Sequence, residues 1–265
     1  MNLRTAIYLL PLLPVAALAD INSGLVAEYT FDGNGNNSAG SGLNLTAHSA
    51  TYTTGLFGQA AAFNGNTSYF QTTDNFPITG NGSRTVDVWL NANSYWNYKN
   101  ILQWGTWNAP GNSWALCLLP PSQGEVFQNS HWVGFASTPT PNAYGTGQWF
   151  NLGEVYDGST RTVSFYINGT YVGGALAIGD ASNVNTASGL LTVGNIDLTH
   201  TPYSDVWYSP WDGLMDDLRI YNRTLSASEM AQLATVPEPA SLSVVMLALL
   251  TFGIRRNAIR RCSCA

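Results

Sequence analysis

Two groups of residues in this sequence carry side chains suited to chemistry, one built from oxygen atoms and one from aromatic rings. In the stretch DGNGN, Asp32, Asn34 and Asn36 occupy alternate positions, which is half of the ligand run of an EF-hand calcium loop. The other half is missing, because position six is Asn37 instead of Gly and position twelve is Leu43 instead of Glu. The loop alone therefore does not make an EF-hand site.

A carboxylate near the other end of the chain is a second candidate for metal chemistry. In the predicted strand over residues 213–221, alternation places Asp216 on the same face as the apolar residues Leu214, Leu218 and Ile220. A carboxylate among apolar side chains needs a partner, because burying it alone is costly. That partner can be an arginine, a set of backbone N–H groups or a metal ion.

The aromatic candidates lie in two stretches rich in polar residues, NSYWNYKN and YSDVWYSPWDG. Trp and Tyr in such loops offer flat apolar faces to sugar rings and polar tips to hydroxyl groups. Core packing is the alternative role, since aromatic residues also fill β-sandwiches. The candidate ligand-binding residues are Tyr95, Trp96, Tyr98, Trp207, Tyr208 and Trp211.

Catalytic motifs are absent from the sequence. Glycoside hydrolysis normally needs two carboxylates at the scissile bond, whereas residues 20–235 contain only four glutamates. There is no Gly-x-Ser-x-Gly or His-Glu-x-x-His motif, and the three histidines are isolated from one another. We therefore expect a protein that is not an enzyme, with a hydrolase of extracellular polysaccharide as the alternative.

The elements that must position these residues are predicted to be strands. Short runs rich in Val, Phe, Tyr, Trp and Thr are bounded by Gly, Asn, Pro or Ser, which is typical of an all-β domain. The dipeptide Asn168-Gly169 between two runs predicts a tight hairpin. A domain of this size without internal helices suits a two-sheet antiparallel sandwich or jelly roll. The clearest runs cover residues 25–31, 84–90, 148–156, 161–167 and 213–221.

One helix is predicted at the end of the domain. Ser226 and Glu229 have the spacing of a capping box, and Leu225 and Met230 that of a hydrophobic staple. The helix should span about residues 227–234. Cys117 has no partner cysteine in the domain, so we expect it to be a small buried apolar residue.

The two ends of the chain have the pattern of targeting segments. Residues 1–19 combine Arg4, an apolar stretch and small residues at Ala17 and Ala19, which predicts a signal peptide. Residues 240–254 are mostly apolar and are followed by an arginine cluster, which predicts a short transmembrane helix with its arginines in the cytoplasm. The rest of the chain is then exported.

The charge of the domain argues against partners that are themselves strongly acidic. Residues 20–235 contain five of the ten basic residues but 15 of the 16 acidic ones, which leaves a net charge of −10. Such a domain is repelled by nucleic acid and by acidic membrane surfaces. We therefore expect no nucleic-acid partner.

The order of features in the tail resembles the PEP-CTERM sorting signal of Gram-negative bacteria. Pro237, Glu238 and Pro239 precede the apolar helix, and Arg255 and Arg256 begin the arginine cluster. The resemblance covers residues 236–265 and implies cleavage by an exosortase-type membrane enzyme. It also implies a location at the cell surface or in the extracellular matrix, after a transient stay in the inner membrane. The alternative is an ordinary tail anchor.

The domain itself resembles laminin-G-like jelly rolls of the concanavalin A-like superfamily. The similarity rests on GLVAEYTFDGNGNNSAGSG, WFNLGEVYDGSTRTVSFYINGTYVGG and DGLMDDLRIYNRTLSASEMAQL. It implies a Ca²⁺ held by Asp32, Asn34 and Asp216, and it implies binding of an extracellular glycan or another surface protein. An Asx-turn loop beside a backbone-bonded Asp216 is the alternative for the metal site. A structural coat component without a ligand is the alternative for the function.

Overall fold

The computed structural model describes residues 20–40, 42–94, 98–109, 111–118, 125–129, 135–139, 145–177, 184–196 and 208–235. Within these ranges the chain forms 16 strands and one helix, which confirms the all-β expectation. The elements are β1 (Leu25–Tyr29), β2 (Leu45–His48), β3 (Thr51–Thr54), β4 (Gln59–Asn64), β5 (Tyr69–Asn75), β6 (Arg84–Ala92), β7 (Tyr98–Gly105), β8 (Ser113–Leu118), β9 (Glu125–Asn129), β10 (Phe135–Pro139), β11 (Trp149–Asp157), β12 (Thr162–Ile167), β13 (Thr170–Ala177), β14 (Leu190–Val193), β15 (Tyr208–Pro210), β16 (Asp212–Tyr221) and α1 (Ala227–Leu233).

The strands form two sheets. Sheet A has the order β13-β12-β11-β6-β16-β4-β3, and β1 pairs with the end of β16 beyond β4. Sheet B has the order β10-β9-β8-β7-β14-β5-β2, and β15 pairs with the start of β7. The β15–β7 pair is parallel, whereas the other named strand pairs in the described ranges are antiparallel. The fold is thus the expected jelly-roll sandwich.

The core lies between the sheets because apolar residues alternate along the strands. In β6 of sheet A, Val86, Val88 and Leu90 point to the core, and in β8 of sheet B Trp114 and Leu116 do so. These side chains are fully buried. In both strands the intervening residues lie on the outer faces of the sandwich.

Two local sequence predictions are confirmed. Asn168 and Gly169 form the turn between β12 and β13 with φ values of 49° and 72°, as a type I′ hairpin requires. The capping box is also present: Ser226 caps the backbone N–H of Glu229, and the Glu229 carboxylate accepts from the backbone N–H of Ser226. Such local motifs depend on neighbouring residues only.

Helix α1 covers part of the outer face of sheet A. Leu225, Met230 and Leu233 form an apolar cluster with Val155 and Tyr221 of that sheet. The methyl carbon of Met230 lies where a β-carbon on Gly153 of β11 would be. Glycine at this position therefore lets the helix approach the sheet.

Both predicted targeting segments, residues 1–19 and 236–265, lie outside the described residues. This includes the expected transmembrane helix over 240–254 and the sorting residues Pro237, Glu238, Pro239, Arg255 and Arg256. Among the residues that the structure does describe, no helix is long and apolar enough to span a bilayer.

Candidate functional site

The two aromatic segments predicted from the sequence meet where β15 runs parallel to the start of β7. The strand register pairs Tyr208 with Tyr98, and Pro210 with Asn100. The paired residues are more than 100 positions apart in the chain, so only the sheet brings them together. We call this region, in which the structure describes residues 93–94, 98–100 and 208–212, the aromatic end.

Side-chain hydrogen bonds attach β15 to β7. Lys99 donates through Nζ to the carbonyl of Pro210 at 3.3 Å, and Asn100 donates through Nδ2 to the carbonyl of Ser209 at 3.1 Å. Cys117 on β8 donates in turn to Oδ1 of Asn100 at 3.1 Å. Burial lowers the pKa of the Lys99 amine, and the nearby Asp212 opposes that shift. The short β15 is thus held by buried polar groups.

Asp212, the first residue of β16, binds the two residues that precede the aromatic segment beginning at Tyr95. Its carboxylate accepts from Nδ2 of Asn93 at 3.1 Å and from the hydroxyl of Ser94 at 2.7 Å. Its carbonyl also accepts from the backbone N–H of Asn93 at 2.9 Å. Asn93 and Ser94, which immediately precede Tyr95 in the sequence, are therefore held beside the start of β16.

The structure describes only some of the predicted ligand-binding residues. Tyr95, Trp96 and Trp207 lie outside the described residues, and only the backbone position of Tyr208 is described. Tyr98 is half-buried. Its side chain lies on the outer face of sheet B, because its neighbour Lys99 is paired with the core residue Leu118.

Trp211 is a core residue. Its side chain has no exposed surface and packs between the sheets, and its Nε1 donates to the carbonyl of Leu214 at 3.3 Å. A sugar ring cannot reach it there, so the expectation that Trp211 contacts a ligand is wrong. The alternative role of core packing applies to this residue.

The predicted face of Asp216 is also wrong, because β16 contains a bulge. Asp217 has a φ of 48° and the register with β6 shifts between Asp216 and Arg219. The core residues of β16 are therefore Met215, Leu218 and Ile220, while Leu214 is only half-buried. An extra residue in one strand reverses the alternation on one side of the bulge. Asp216 consequently lies on the outer face of sheet A.

Asp216 is nevertheless buried, because the β3–β4 turn covers it. Its Oδ2 accepts from the backbone N–H groups of Leu56 and Phe57, both at 2.9 Å. The ring of Phe57 lies edge-on to Trp89, the cross-strand neighbour of Asp216 on β6. The other oxygen, Oδ1, is buried without a hydrogen-bond partner, and burial raises the pKa of Asp216 to about 6.

Asp32 contacts the same turn from the other predicted ligand loop. Its Oδ1 accepts from the backbone N–H of Gln59 at 2.8 Å. Asn34 makes an Asx turn, in which its Oδ1 accepts from the backbone N–H of Asn36 at 2.9 Å. The structure therefore brings Asp32 and Asp216 to the same turn, residues 55–59, with one oxygen of each already bound to backbone N–H groups.

This donor set is incomplete for calcium as it stands. Ca²⁺ takes six to eight oxygen ligands, and in the described ranges no three His, Cys, Asp or Glu side chains lie close enough together to hold a metal ion. The geometry matches the backbone-bonded alternative for Asp216. Its unpaired Oδ1 is the buried oxygen that a cation would use, so Ca²⁺ binding by Asp32, Asn34 and Asp216 stays a prediction.

Buried charges in the core were not predicted from the sequence. Arg84 lies against the rings of Trp104, Trp114 and Tyr156, at 5.6, 4.6 and 5.5 Å from their centroids. Glu154 accepts from Nε1 of Trp114 at 3.1 Å. Burial lowers the pKa of Arg84 to about 10 and raises that of Glu154 to about 8. Both residues are almost fully buried, so they belong to the core and do not line an open cleft.

A stacked ring pair on sheet B was also missed. His48 on β2 and Tyr69 on β5 have ring centroids 4.4 Å apart and planes within 7° of parallel. The sequence suggested only an isolated histidine. In the sequence, Tyr69 and Gln71 flank the apolar Phe70, which suggests that Tyr69 and Gln71 share one face of a strand. This pattern does not identify the neighbouring strand, so it could not predict the contact with His48.

Comparison with known proteins identifies the family of this chain. Residues 64–231 match the concanavalin A-like lectin/glucanases superfamily. No curated protein sequence matches the chain. Among solved structures, domain 4 of AbnA, a GH43 extracellular arabinanase from Geobacillus stearothermophilus solved with arabinotriose, is 24% identical with a TM-score of 0.62, over 80% of this chain and 98% of that one.

Two toxin domains share the fold at lower identity. The binding domain of Paraclostridial Mosquitocidal Protein 1 is 14% identical with a TM-score of 0.57, over 81% of this chain and 52% of that one. The botulinum neurotoxin serotype D binding domain is 15% identical with a TM-score of 0.56, over 80% and 52% respectively. With a family match over more than half of its length, this chain belongs to the concanavalin A-like lectin/glucanases superfamily.

Proposed function

We propose that this chain is an exported surface or matrix protein whose jelly-roll domain binds carbohydrate. The observation that carries the proposal is the pairing of Tyr98 with Tyr208, which joins the two aromatic segments at one end of sheet B. Flat rings beside amide and hydroxyl groups are the chemistry that sugars need. In the described part of the aromatic end, Tyr98 supplies a ring on the outer face of sheet B, and Asn93 and Ser94 supply an amide and a hydroxyl beside Asp212.

The positions of the glutamates support a binding role over catalysis. Glu154 is in the core, Glu28 is paired with Arg219 at 2.8 Å, and Glu229 is part of the helix cap. A retaining or inverting hydrolase needs two carboxylates that face a common cleft. These three glutamates are committed to other contacts, so none of them is suited to be one of that pair.

The binding proposal is tested with a glycan array probed with the purified protein. The array should include arabinotriose, because a domain of the same fold was solved with that sugar. We expect Trp96→Ala and Trp207→Ala to weaken binding at least about tenfold. Tyr171→Ala is a matched control, since this exposed tyrosine lies on β13 of sheet A, and it should bind as the wild type does.

Other results would support the alternatives. Turnover of a glycan that disappears in Asp216→Asn would indicate a polysaccharide hydrolase. Binding to a surface protein without any glycan binding would identify a protein-recognition domain. Self-assembly without binding of either kind would indicate a structural coat component.

Export and sorting complete the proposal. Cleavage before Asp20 and sorting by an exosortase-type enzyme at the Pro237-Glu238-Pro239 motif would leave the domain at the cell surface or in the matrix of a Gram-negative bacterium. The support is the order of the motif, the apolar stretch and the arginine cluster in the sequence. Intact-mass measurement of the native protein should show that the residues after about Pro239 are removed. A native mass that still includes Arg255 and Arg256 would contradict sorting.

A further inference from the structure

The outer face of sheet B carries a second aromatic feature, on strands β2 and β5. Phe70 of β5 points into the core, so its neighbours Tyr69 and Gln71 point outward. Tyr69 and Gln71 are half-buried, and Thr73, the next residue on this face, is exposed. This part of the face is therefore open to a ligand.

The ring of Tyr69 is held in place by His48. The two residues are cross-strand neighbours, and their rings are stacked at 4.4 Å with an interplanar angle of 7°. Cross-strand aromatic pairs of this kind stabilise a sheet and fix the ring positions. One face of each ring contacts the other ring, so the pair forms a rigid block that stands on the sheet.

Polar groups lie beside this block. Nε2 of Gln71 donates to the hydroxyl of Thr192 on β14 at 3.0 Å, which fixes the orientation of the amide. Oε1 of Gln71 then remains an acceptor for a ligand hydroxyl. Thr46 on β2 is paired with Gln71 and has an exposed side chain. Residues two apart on a strand are about 7 Å apart, a distance that one sugar ring can bridge.

The charge of this region selects for a neutral ligand. All five Lys and Arg residues of the domain lie elsewhere: Arg84 and Lys99 are buried, Arg161 is in the β11–β12 turn, and Arg219 and Arg223 contact groups of sheet A or the helix cap. A carboxylated or sulfated sugar would find no lysine or arginine here. It would also meet a domain of net charge −10.

We infer that His48, Tyr69, Gln71 and Thr46 form a subsite for one ring of a neutral oligosaccharide. The sugar stacks on the Tyr69–His48 block and donates a hydroxyl to Oε1 of Gln71. This inference rests on the proposed carbohydrate-binding function, but its residues are different from those of the aromatic end. It therefore adds a second contact region on the same sheet.

Binding measurements with defined sugars test the subsite. Arabinotriose and cellotriose serve as neutral probes and trigalacturonate as the acidic one, each titrated calorimetrically into the purified protein. We expect at least one neutral probe to bind and trigalacturonate not to bind. Tyr69→Ala should weaken the neutral probe at least about tenfold, whereas Tyr69→Phe should retain affinity within about twofold.

Further variants separate binding from folding. His48→Phe keeps a stacked ring and should bind nearly as the wild type does, and Gln71→Met keeps the volume of the side chain but should lose affinity. Tyr171→Ala is the control for a lost exposed tyrosine. The unfolding midpoints of all variants are measured alongside and should stay close to that of the wild type, which separates a loss of binding from unfolding of the sheet edge.

The outcomes distinguish the two proposals. If a neutral probe binds and Trp96→Ala weakens it while Tyr69→Ala does not, the subsite is wrong and the proposed function stands. Preferred binding of trigalacturonate would also overturn the subsite. If no glycan of the array or of this set binds, the proposed function fails and the subsite fails with it.

Discussion

The carboxylate of Asp216 lies 2.9 Å from the backbone nitrogen of Phe57, a residue 159 positions earlier in the chain. This contact joins the last strand of the domain to the β3–β4 turn, and the Phe57 ring then covers Trp89 on the outer face of sheet A. Because Leu56 donates to the same oxygen, one carboxylate fixes two adjacent peptide groups of the turn.

Removing this carboxylate should destabilise the domain. We expect Asp216→Ala to lower the free energy of unfolding by about 1–3 kcal/mol, because two backbone N–H groups lose their acceptor. Asp216→Asn should cost less, since an amide oxygen can still accept from them. Urea unfolding of both variants measures the difference. Asp74→Ala, which removes an exposed aspartate of β5, is the control, and an equally large loss there would contradict the assignment.

Calcium should stabilise the protein if Asp32, Asn34 and Asp216 hold it. A metal that binds only the folded state at about 100 times its Kd adds roughly 2.7 kcal/mol to the free energy of unfolding. Thermal melts with Ca²⁺ and with EDTA measure the effect. Both Asp32→Ala and Asp216→Asn should abolish the shift in melting temperature. A shift that both variants retain would place the ion elsewhere, and no shift in the wild type would leave these residues with the hydrogen bonds described above.

The free energy of unfolding should fall between about pH 5 and pH 8. Burial raises the pKa of Asp87 to about 7 and that of Glu154 to about 8, above their values of 3.8 and 4.5 in the unfolded chain. The folded state therefore binds more protons than the unfolded state in this range, and its stability is lost as the pH rises. Asp87→Asn and Glu154→Gln should each flatten the profile. Urea unfolding at a series of pH values checks this, and a profile that rises over the range would contradict it.

The buried guanidinium of Arg84 should be essential for stability. Arg84 donates to the carbonyls of Gly80 and Gly82 and to the hydroxyl of Thr186, and it stacks near three aromatic rings. We expect Arg84→Met to cost about 1–3 kcal/mol, because the carbonyls of Gly80 and Gly82 and the hydroxyl of Thr186 lose their donor. Above about pH 8, where Glu154 is ionised, the variant should also lose the attraction between the Arg84 and Glu154 charges.

A double-mutant cycle isolates that interaction. The double variant Arg84→Met with Glu154→Gln should be less destabilised than the sum of the two single variants. Strict additivity of the two losses would show that Arg84 stabilises only the loop carbonyls and the ring cluster.

Several features could be predicted because their causes are local. The Asn168-Gly169 turn needs two positive φ angles, and the Ser226–Glu229 cap needs a spacing of three residues, so both can be read from a few adjacent positions. The number of strand-like runs and the lack of long helical patterns likewise favour a two-sheet sandwich. Cys117 is buried, as expected of a cysteine without a partner.

Predictions that depended on unbroken alternation were less successful. A single bulge at Asp217 moved Asp216 from the expected core face to the outer face of sheet A. Trp211 stands in the same aromatic stretch as Trp207, but it immediately precedes β16 and turns into the core. The sequence contains no marker for either event, because a bulge is decided by the strands that pair with β16.

The sequence by itself determined the all-β class, the closing helix, the acidic charge and the kinds of side chain available for sugar or metal binding. Only the tertiary structure decided which of them meet: Tyr98 with Tyr208, Tyr69 with His48, and Asp32 and Asp216 at one turn. The reason is that strand neighbours in a jelly roll are distant in the chain. Their pairing depends on how the whole core packs, whereas composition, caps and turns depend on residues that are adjacent.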